Sequence, residues 1–207
     1  MKQNSTMVIG LTGGIATGKS TVSKIIKEKG YPVIDADVLA REVVEVGMPA
    51  YNEIVDYFGR DILNTDLTID RDKLGKIIFN DDKKRKKLNS FIHPRILQSI
   101  KKHIQKYSLE YSLVFVDIPL LIEIKESLDK SDIEFDEVWL VYAREEQQLD
   151  RLMKRNNLTE KEAKNRIEVQ ISIDDKKKFA DRIIYNTGRI DETKKIIENN
   201  IKTLLKQ

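Results

Sequence analysis

Residues 13–20 read Gly13-Gly14-Ile15-Ala16-Thr17-Gly18-Lys19-Ser20. The pattern is G-x-x-x-x-G-K-[ST], which is typical of loops that wrap a phosphate chain with backbone N–H groups. It follows a short apolar run, residues 7–11, and precedes a helical pattern, residues 21–29. The context therefore predicts a strand, a phosphate loop and a helix in that order. The alternative is a glycine-rich turn before a structural helix, and the complete eight-residue pattern argues against it.

The residue types of this loop suit the binding of a nucleotide. Glycines let the backbone approach the anion, and the following helix directs free N–H groups and its positive dipole end toward it. Lys19 can neutralise the β- and γ-phosphates, and the Ser20 hydroxyl is suited to bind Mg²⁺. The predicted nucleotide-binding residues of the loop and helix start are Gly13, Gly14, Ala16, Thr17, Gly18, Lys19, Ser20 and Thr21.

Composition limits the classes of protein to be considered. The chain has 207 residues, of which 40% are hydrophobic and 34% charged, and this suits one α/β domain with small insertions. The formal net charge of +3 gives no support for nucleic-acid binding. The sequence has no cysteine, which excludes disulfides, thiolate metal sites and a cysteine nucleophile.

The sequence shows no sign of membrane insertion or export. No apolar run approaches the roughly 18 residues that a membrane span needs, and the first six residues are polar. The apolar run after them is too short for the core of a signal peptide. We therefore expect a cytoplasmic protein without a membrane partner. The sequence does not determine an oligomeric state, and a monomer is favoured.

The order of predicted elements is βα, β, helical insert, β, β, helical insert, β, α. This order predicts an α/β, three-layer P-loop NTPase fold with a parallel sheet of about five strands and right-handed crossovers. The core comprises residues 1–40, 109–144 and 181–207, and the helical inserts comprise residues 41–108 and 145–180. Within the first insert we expect one helix over residues 81–91 and another that starts at His93-Pro94, with Pro94 at its first helical position.

Acidic residues follow two of the predicted strands. Asp35 and Asp37 end the second strand, and Asp117 ends the apolar run of residues 113–117. Ligands of such folds bind beyond the carboxyl ends of the strands, where the phosphate loop also lies. Asp117 resembles the aspartate that orders Mg²⁺ or its water shell in other P-loop proteins, and the alternative is a simple acid at a strand end.

Basic side chains accompany both helical inserts. Asp37 and Arg41 are four residues apart, so they are either a general base and a cationic anchor for an anionic acceptor or a capping residue and a surface ion pair. Arg151 and Arg155 also share a helix face, which is either exposed or closes on a transferring phosphate. His93 and Arg95 stand at the start of a predicted helix, where an anion contact competes with a capping role.

Three kinds of P-loop protein can be compared with these features. A GTP-dependent switch would need an Asn-Lys-x-Asp motif, which is absent, and an Asp-x-x-Gly motif where this chain reads Asp117-Ile118-Pro119-Leu120. A motor or transporter ATPase needs a longer chain. A kinase of small molecules fits the length, the two helical inserts and the arginines of the second insert.

The chain resembles the dephospho-CoA kinase family from Val8 to about Leu204. The resemblance begins in residues 9–15 and is most specific in the Asp35-Ala36-Asp37 tract with Ala40-Arg41 and in the His93-Pro94 pair. It continues through Pro119-Leu120-Leu121, Glu123, Gln148, Arg151, Arg155, Arg166, Gln170, Asn186 and Gly188. One departure is Ala16-Thr17, where the family commonly has Gly-Ser. Ala16 must therefore adopt a negative φ or accept strain.

The resemblance implies transfer of the γ-phosphoryl group of ATP to the ribose 3′-hydroxyl of 3′-dephospho-coenzyme A, with Mg²⁺ held by Ser20. Asp117 is a second predicted metal contact because of its position at the strand end. The resemblance further implies that Asp37 is the general base and that residues 41–108 bind the acceptor through Asp35, Asp37, Arg41, His93 and Arg95. It also implies a mobile lid, residues 145–180, that carries Arg151 and Arg155, and an adenine position near Asn186 and Gly188. The alternatives are another small-molecule kinase and a nucleotide-binding regulatory protein without transfer activity.

Overall fold

A parallel β-sheet forms the centre of the computed structural model, which describes residues 6–79, 81–125, 128 and 131–206. In these residues the strands are β1 (Met7–Gly13), β2 (Val33–Asp35), β3 (Leu113–Asp117), β4 (Glu137–Tyr142) and β5 (Arg182–Tyr185). Their order across the sheet is β2-β3-β1-β4-β5. The predicted α/β fold with about five parallel strands is confirmed.

The central strands are buried because helices cover both faces of a parallel sheet. All five residues of β3 are buried, in agreement with its uninterrupted apolar sequence. The register pairs Leu11 of β1 with Asp117 of β3, and β1 continues for two more residues into the phosphate loop. The pairing therefore sets the Asp117 carboxylate beside the start of that loop.

The helices are α1 (Lys19–Glu28), α2 (Ala36–Glu42), α3 (Pro49–Phe58), α4 (Arg71–Phe79), α5 (Asp82–Tyr107), α6 (Glu145–Asn156), α7 (Glu160–Glu168), α8 (Ile173–Lys176) and α9 (Ile190–Leu204). Short 3₁₀ turns occupy Arg60–Ile62 and Lys177–Phe179. Helix α1 buries Val22, Ile25 and Ile26 against the sheet, and α9 adds Ile197 and Ile201 to the same core. The apolar spacing of both helices accounts for this packing.

Helix α5 corrects one prediction. Residues 81–91 and the segment from His93-Pro94 were expected to form two helices, but α5 continues from Asp82 to Tyr107 with Pro94 inside it. A proline in a helix interior removes a backbone donor and disturbs the carbonyls of the preceding turn. The carbonyl that loses its donor is that of Ser90, four residues before Pro94. In the same turn the Arg95 guanidinium donates a 2.6 Å hydrogen bond to the Phe91 carbonyl.

The chain forms two compact units. One contains the residues up to Ile34 together with those from His103 onward, and the other contains Asp35–Lys102. We call them the sheet unit and the helical unit. The helical unit has its own apolar core of Ile54, Ile62, Leu74 and Leu88. Within the described residues, none of the helices is both long and apolar enough to cross a membrane.

Candidate active site

The phosphate loop connects β1 to α1 and takes two left-handed backbone conformations. Gly18, which precedes the first residue of α1, has a φ of 90°, and Ala16 has a φ of 58°. Thr17 is fully buried, and its hydroxyl donates a 2.9 Å hydrogen bond to the Gly14 carbonyl. The loop is therefore closed on itself, and Ala16 accepts the strain that was the alternative to a negative φ.

Lys19 and Asp117 form an ion pair at the base of the loop. The Lys19 Nζ atom contacts Oδ1 of Asp117, whose side chain is 2% exposed. The other carboxylate oxygen, Oδ2, accepts a 2.5 Å hydrogen bond from the Ser23 hydroxyl. A buried carboxylate needs such partners because its desolvation is costly. The pair links the first helix to the end of β3.

Two side chains from later parts of the sheet unit bind the phosphate loop. Asn186, which follows β5, donates from Nδ2 to the Thr17 carbonyl over 2.8 Å. Arg151 of α6 donates from Nη1 to the same carbonyl over 3.3 Å and from Nη2 to the Asn186 carbonyl over 2.9 Å. The Asn186 Oδ1 atom in turn accepts a 3.2 Å hydrogen bond from Thr193 of α9. The structure thus brings together three of the predicted site residues, Thr17, Arg151 and Asn186.

Two predicted nucleotide-binding glycines lie against neighbouring side chains, and one of them also has a positive φ. A Cβ atom at Gly18 would lie 2.1 Å from Nδ2 of Asn186, in addition to the strain of its positive φ. A Cβ atom at Gly188 would lie 2.2 Å from Oε2 of Glu192. That Glu192 oxygen caps the start of α9 by accepting from the Arg189 amide over 3.2 Å.

The segment of residues 145–180 contacts the phosphate loop and the core at further points. Gln170 accepts a 2.9 Å hydrogen bond from the Ile15 amide through Oε1. Lys176, which is fully buried, forms a 2.7 Å ion pair with Glu123. Arg155 is exposed, and its Nε atom donates to the neighbouring Asn156 side chain over 2.9 Å. Of the two predicted lid arginines, Arg151 therefore contacts the loop and Arg155 does not.

In the helical unit, helix α2 carries three of the predicted acceptor-binding residues. Asp35 is the N-cap, and its Oδ1 atom accepts from the amides of Asp37 and Val38 over 2.9 and 3.2 Å. Asp35, and not Asp37, is therefore the residue that caps α2, and the cap uses only its Oδ1 atom. Asp37 and Arg41 are exposed, and in the part of the chain that the structure describes they form no ion pair with each other. Their charged ends are turned outward from α2.

Helix α5 carries the other two predicted acceptor-binding residues, His93 and Arg95, which differ in exposure and in their contacts. His93 is exposed. Arg95 is 28% exposed and forms an ion pair with Glu53, with Nη1 3.0 Å from Oε2 and Nη2 3.1 Å from Oε1. Together with its bond to Phe91, this contact gives Arg95 a structural role in joining α3 to α5.

The metal-binding potential of the chain rests on few groups. Among the described residues, no three or more histidine, aspartate or glutamate side chains come together as a metal site. The two predicted metal contacts are oxygen donors, the exposed Ser20 hydroxyl and the buried Asp117 carboxylate. Hard oxygen donors suit Mg²⁺, which is commonly held by one or two protein groups and by substrate phosphates. The residues present therefore fit a nucleotide-bound magnesium ion.

Comparison with known proteins identifies the family. Residues 7–192 match the family model of dephospho-CoA kinase. The dephospho-CoA kinase of Bacillus cereus is 47% identical over 199 residues, which cover 95% of this chain and 96% of that protein. The chain belongs to the dephospho-CoA kinase family. It is therefore a phosphotransferase, as the sequence predicted.

Solved structures agree with membership in the dephospho-CoA kinase family. The dephospho-CoA kinase of Campylobacter jejuni is 31% identical, with a TM-score of 0.64 over 95% of this chain and 96% of that one. A Thermus thermophilus protein is 30% identical, with a TM-score of 0.78 over 97% of each chain. The fold is thus shared over at least 95% of the chain.

Sequence reasoning assigned no role to two residues that this dephospho-CoA kinase family member places at the loop. Ser23 contacts Asp117, and the signal for it was a small polar residue four positions after Lys19 on an otherwise apolar helix face. Gln170 was matched to the family without a function, and no local pattern indicated its contact with Ile15. Both contacts join residues that are distant in sequence, which is why local patterns do not reveal the partners.

Proposed function

We propose that the chain catalyses the last step of coenzyme A biosynthesis, the phosphorylation of the ribose 3′-hydroxyl of 3′-dephospho-coenzyme A by ATP. The observation that carries this conclusion is the 47% identity to a dephospho-CoA kinase over 95% of the chain. In the reaction the 3′-oxygen forms a bond to the γ-phosphorus, the bond from that phosphorus to the β,γ-bridging oxygen breaks, and ADP leaves. The hydroxyl proton passes to a base of the enzyme.

ATP is held by the phosphate loop in this proposal. Backbone N–H groups of residues 13–20 surround the phosphates, and Lys19 exchanges part of its contact with Asp117 for a phosphate oxygen. Because Asp117 keeps its hydrogen bond from Ser23, the carboxylate retains a partner when Lys19 moves. Asn186 and Gly188 lie next to the adenine of ATP, and the bond from Asn186 to Thr17 connects that end of the site to the loop.

Magnesium completes the donor site. Ser20 and Asp117 are the residues that would hold it, directly or through water, since both offer oxygen to a hard cation. When bound, the ion supplies positive charge that neutralises the ATP phosphates. The contribution of the chain is to position those phosphates with Lys19 and the loop amides.

Asp37 is the general base for the acceptor hydroxyl. Its exposed carboxylate at the start of α2 is free to accept a proton, and a base of this kind orients the attacking hydroxyl. Residues 41–108 bind the acceptor, with Asp35, Arg41, His93 and Arg95 as its contacts. Arg95 can serve in this way only in part, because Glu53 and Phe91 already occupy both of its terminal nitrogens.

Residues 145–180 act as the lid over the transferring phosphate. Arg151 approaches that phosphate from its position on Thr17 and Asn186, and Arg155 joins it when the segment closes. Guanidinium groups suit this task because they bind phosphate oxygens in pairs. The release of Gln170 from the Ile15 amide would accompany the change, since that N–H belongs to the loop.

The location and assembly of the enzyme complete the proposal. We place it in the cytoplasm as a monomer, without a membrane or nucleic-acid partner. The low net charge of +3 supports the part of this assignment that concerns nucleic acid. Light scattering on the purified chain measures the oligomeric state directly, and a dimer mass would contradict the monomer.

The deciding experiment measures ADP release with Mg-ATP and a panel of acceptors. The panel holds 3′-dephospho-coenzyme A, AMP, CMP, UMP, adenosine and buffer alone. Rapid turnover with dephospho-coenzyme A alone is the expected result. Preferred turnover of a nucleoside monophosphate would overturn the acceptor, and ATP binding without turnover of any acceptor would overturn the assignment as a kinase.

A further inference from the structure

A cavity of about 480 Å³ lies within the helical unit. Its walls come from α2, α3, α4, α5 and the segments that follow α2 and precede α4. Most of the lining is apolar and comprises Ala40, Val44, Val46, Ile54, Ile69, Leu74 and Ile92. The charged residues of the lining are Arg41, Glu45 and Arg71, so the cavity carries one net positive charge.

The two arginines of this cavity have no protein partner. Neither Arg41 nor Arg71 makes a hydrogen bond or an ion pair through its guanidinium group within the described ranges, and both side chains are exposed. Two other arginines of the same unit are engaged, since Arg95 pairs with Glu53 and Arg85 with Asp82 at 2.9 Å. Arg41 and Arg71 thus bring two unpaired guanidinium groups to one largely apolar cavity.

This combination suits an anion that belongs to a larger, partly apolar molecule. Arginine binds phosphate oxygens through two parallel N–H groups, and such charge-assisted bonds are stronger beside an apolar wall than in open water. The negative charge of Glu45 offsets one of the two arginine charges, and one positive charge remains for the anion. A free metal ion is disfavoured by the same two positive charges.

The spacing along α2 relates this cavity to the acceptor. Arg41 follows Asp37 by four residues, so the two side chains lie one helical turn apart on the same face. In a nucleotide with a free 3′-hydroxyl, the 5′-phosphate is attached to the same ribose. A base at Asp37 and an anion site at Arg41 therefore match the two ends of one ribose unit.

We infer that Arg41 and Arg71 together bind the 5′-linked diphosphate of the acceptor, and that Arg71 is a substrate-binding residue of this enzyme. The inference rests on the proposed function and adds to it the recognition of the acceptor phosphates. Arg71 is the first residue of α4, and the N-cap Asp70 fixes this turn by accepting from the amides of Asp72 and Lys73, each over 3.0 Å. The Arg71 side chain therefore extends from a helix terminus whose backbone the Asp70 cap holds in place.

The test compares Arg71→Ala, Arg71→Lys and the control Lys76→Ala. Lys76 lies on the same helix and is exposed, but it is not among the residues that line the cavity. We expect Arg71→Ala to raise KM for dephospho-coenzyme A by about 10- to 100-fold, with KM for ATP and kcat changed by less than about twofold. The KM for dephospho-coenzyme A of Arg71→Lys should lie between those of the wild type and Arg71→Ala, because lysine keeps the positive charge but lacks the two parallel N–H groups of the guanidinium. The KM values of Lys76→Ala should match those of the wild type.

A second measurement reports on the phosphate itself. AMP and adenosine are compared as inhibitors that compete with dephospho-coenzyme A. The wild type should bind AMP about 10-fold or more tightly than adenosine, and Arg71→Ala should lose most of this preference and keep only the part that Arg41 provides. Circular dichroism confirms that each variant is folded, and Arg71→Lys preserves the test if Arg71→Ala does not fold.

The outcomes separate this inference from the proposed function. If the wild type phosphorylates dephospho-coenzyme A and Arg71→Ala does so with the same KM, Arg71 is not a substrate-binding residue, and the kinase activity still stands. An equal loss of AMP and adenosine binding would do the same, because it would reflect a structural effect. Failure of the wild type to phosphorylate dephospho-coenzyme A would instead overturn the proposed function.

Discussion

Asn186 donates a 2.8 Å hydrogen bond from its Nδ2 atom to the main-chain oxygen of Thr17, a residue 169 positions earlier in the chain. Asn186 is 9% exposed, and its Oδ1 atom is engaged by Thr193. The amide group therefore has one orientation that satisfies both partners, with the nitrogen toward the phosphate loop. This bond ties the end of β5 to the loop and makes the loop's shape depend on the last part of the fold.

Asn186→Asp tests whether this bond shapes the nucleotide site. A carboxylate cannot donate to the Thr17 carbonyl, and two oxygens would face each other at a buried position. We expect KM for ATP to rise by about 10-fold or more, with a smaller effect on KM for dephospho-coenzyme A. Asn199→Asp, at an exposed position of α9, introduces the same charge and should leave both constants unchanged. Equal KM values for ATP in the two variants would contradict the prediction.

Gly18→Ala separates backbone strain from steric conflict when it is compared with Gly30→Ala. The φ values of Gly18 and Gly30 are 90° and 86°, but a Cβ atom at Gly30 meets no atom within 4 Å. Each alanine should lower the free energy of unfolding by about 1–2 kcal/mol because of the left-handed conformation. Only Gly18→Ala should also displace Asn186 and abolish ATP binding, as measured by calorimetry. ATP binding by Gly18→Ala as tight as that of Gly30→Ala would show that the Asn186 contact is dispensable.

The phosphate loop and the sheet were predictable because their signals are local. The pattern of residues 13–20 predicts a phosphate loop whose conformation depends on glycine. The apolar run of β3 indicates a strand that is covered on both faces. Ala16 shows the limit of this reasoning, since the sequence left two backbone conformations open. The structure has the left-handed one, with a φ of 58°, because the surrounding loop requires it.

The surroundings of the site residues were less predictable because they depend on tertiary contacts. Pro94 was expected to begin a helix, but α5 starts twelve residues earlier, at Asp82, and continues through it. Arg95 was predicted to face the acceptor, but Glu53 on α3 binds it, and the spacing of residues 53 and 95 gives no hint of that pair. Arg71 was overlooked because a basic residue in an exposed helical turn is common, and only the cavity distinguishes it.

Glu137→Gln tests an ion pair that joins β4 to β5 beneath the site. Glu137 accepts from Nε and Nη2 of Arg182 over 2.6 and 2.9 Å and from Trp139 over 2.7 Å. Burial acts to raise the pKa of Glu137, but the hydrogen bonds from Arg182 and Trp139 outweigh it and hold the pKa below its usual 4.5. A carboxylate with a lowered pKa in the folded state stabilises the protein above the unfolded pKa, and this contribution is lost as the pH falls through the folded pKa.

At pH 7 we therefore expect Glu137→Gln to reduce the free energy of unfolding by about 1 kcal/mol, since the pair lies near the surface. Below pH 4.5 the difference from the wild type should shrink progressively and disappear once Glu137 is protonated in the folded protein. Urea unfolding at a series of pH values measures it. Glu134→Gln, at an exposed position, provides the control. A stability difference that stays constant from pH 7 to acid would rule out the pair as its cause.

Asp37→Asn tests the base assignment most directly. Asparagine keeps the size of the side chain and its place at the start of α2, and Asp35, which caps that helix, is untouched. We expect kcat to fall by about 10²- to 10⁴-fold with KM for ATP nearly unchanged, because an amide cannot take the proton of the acceptor hydroxyl. The matched control is Asp56→Asn on α3, an exposed change of the same charge in the same helical unit. If folded Asp37→Asn turned over at a rate close to that of Asp56→Asn, the proton would have to leave by another route, and Asp37 would be a positioning residue at most.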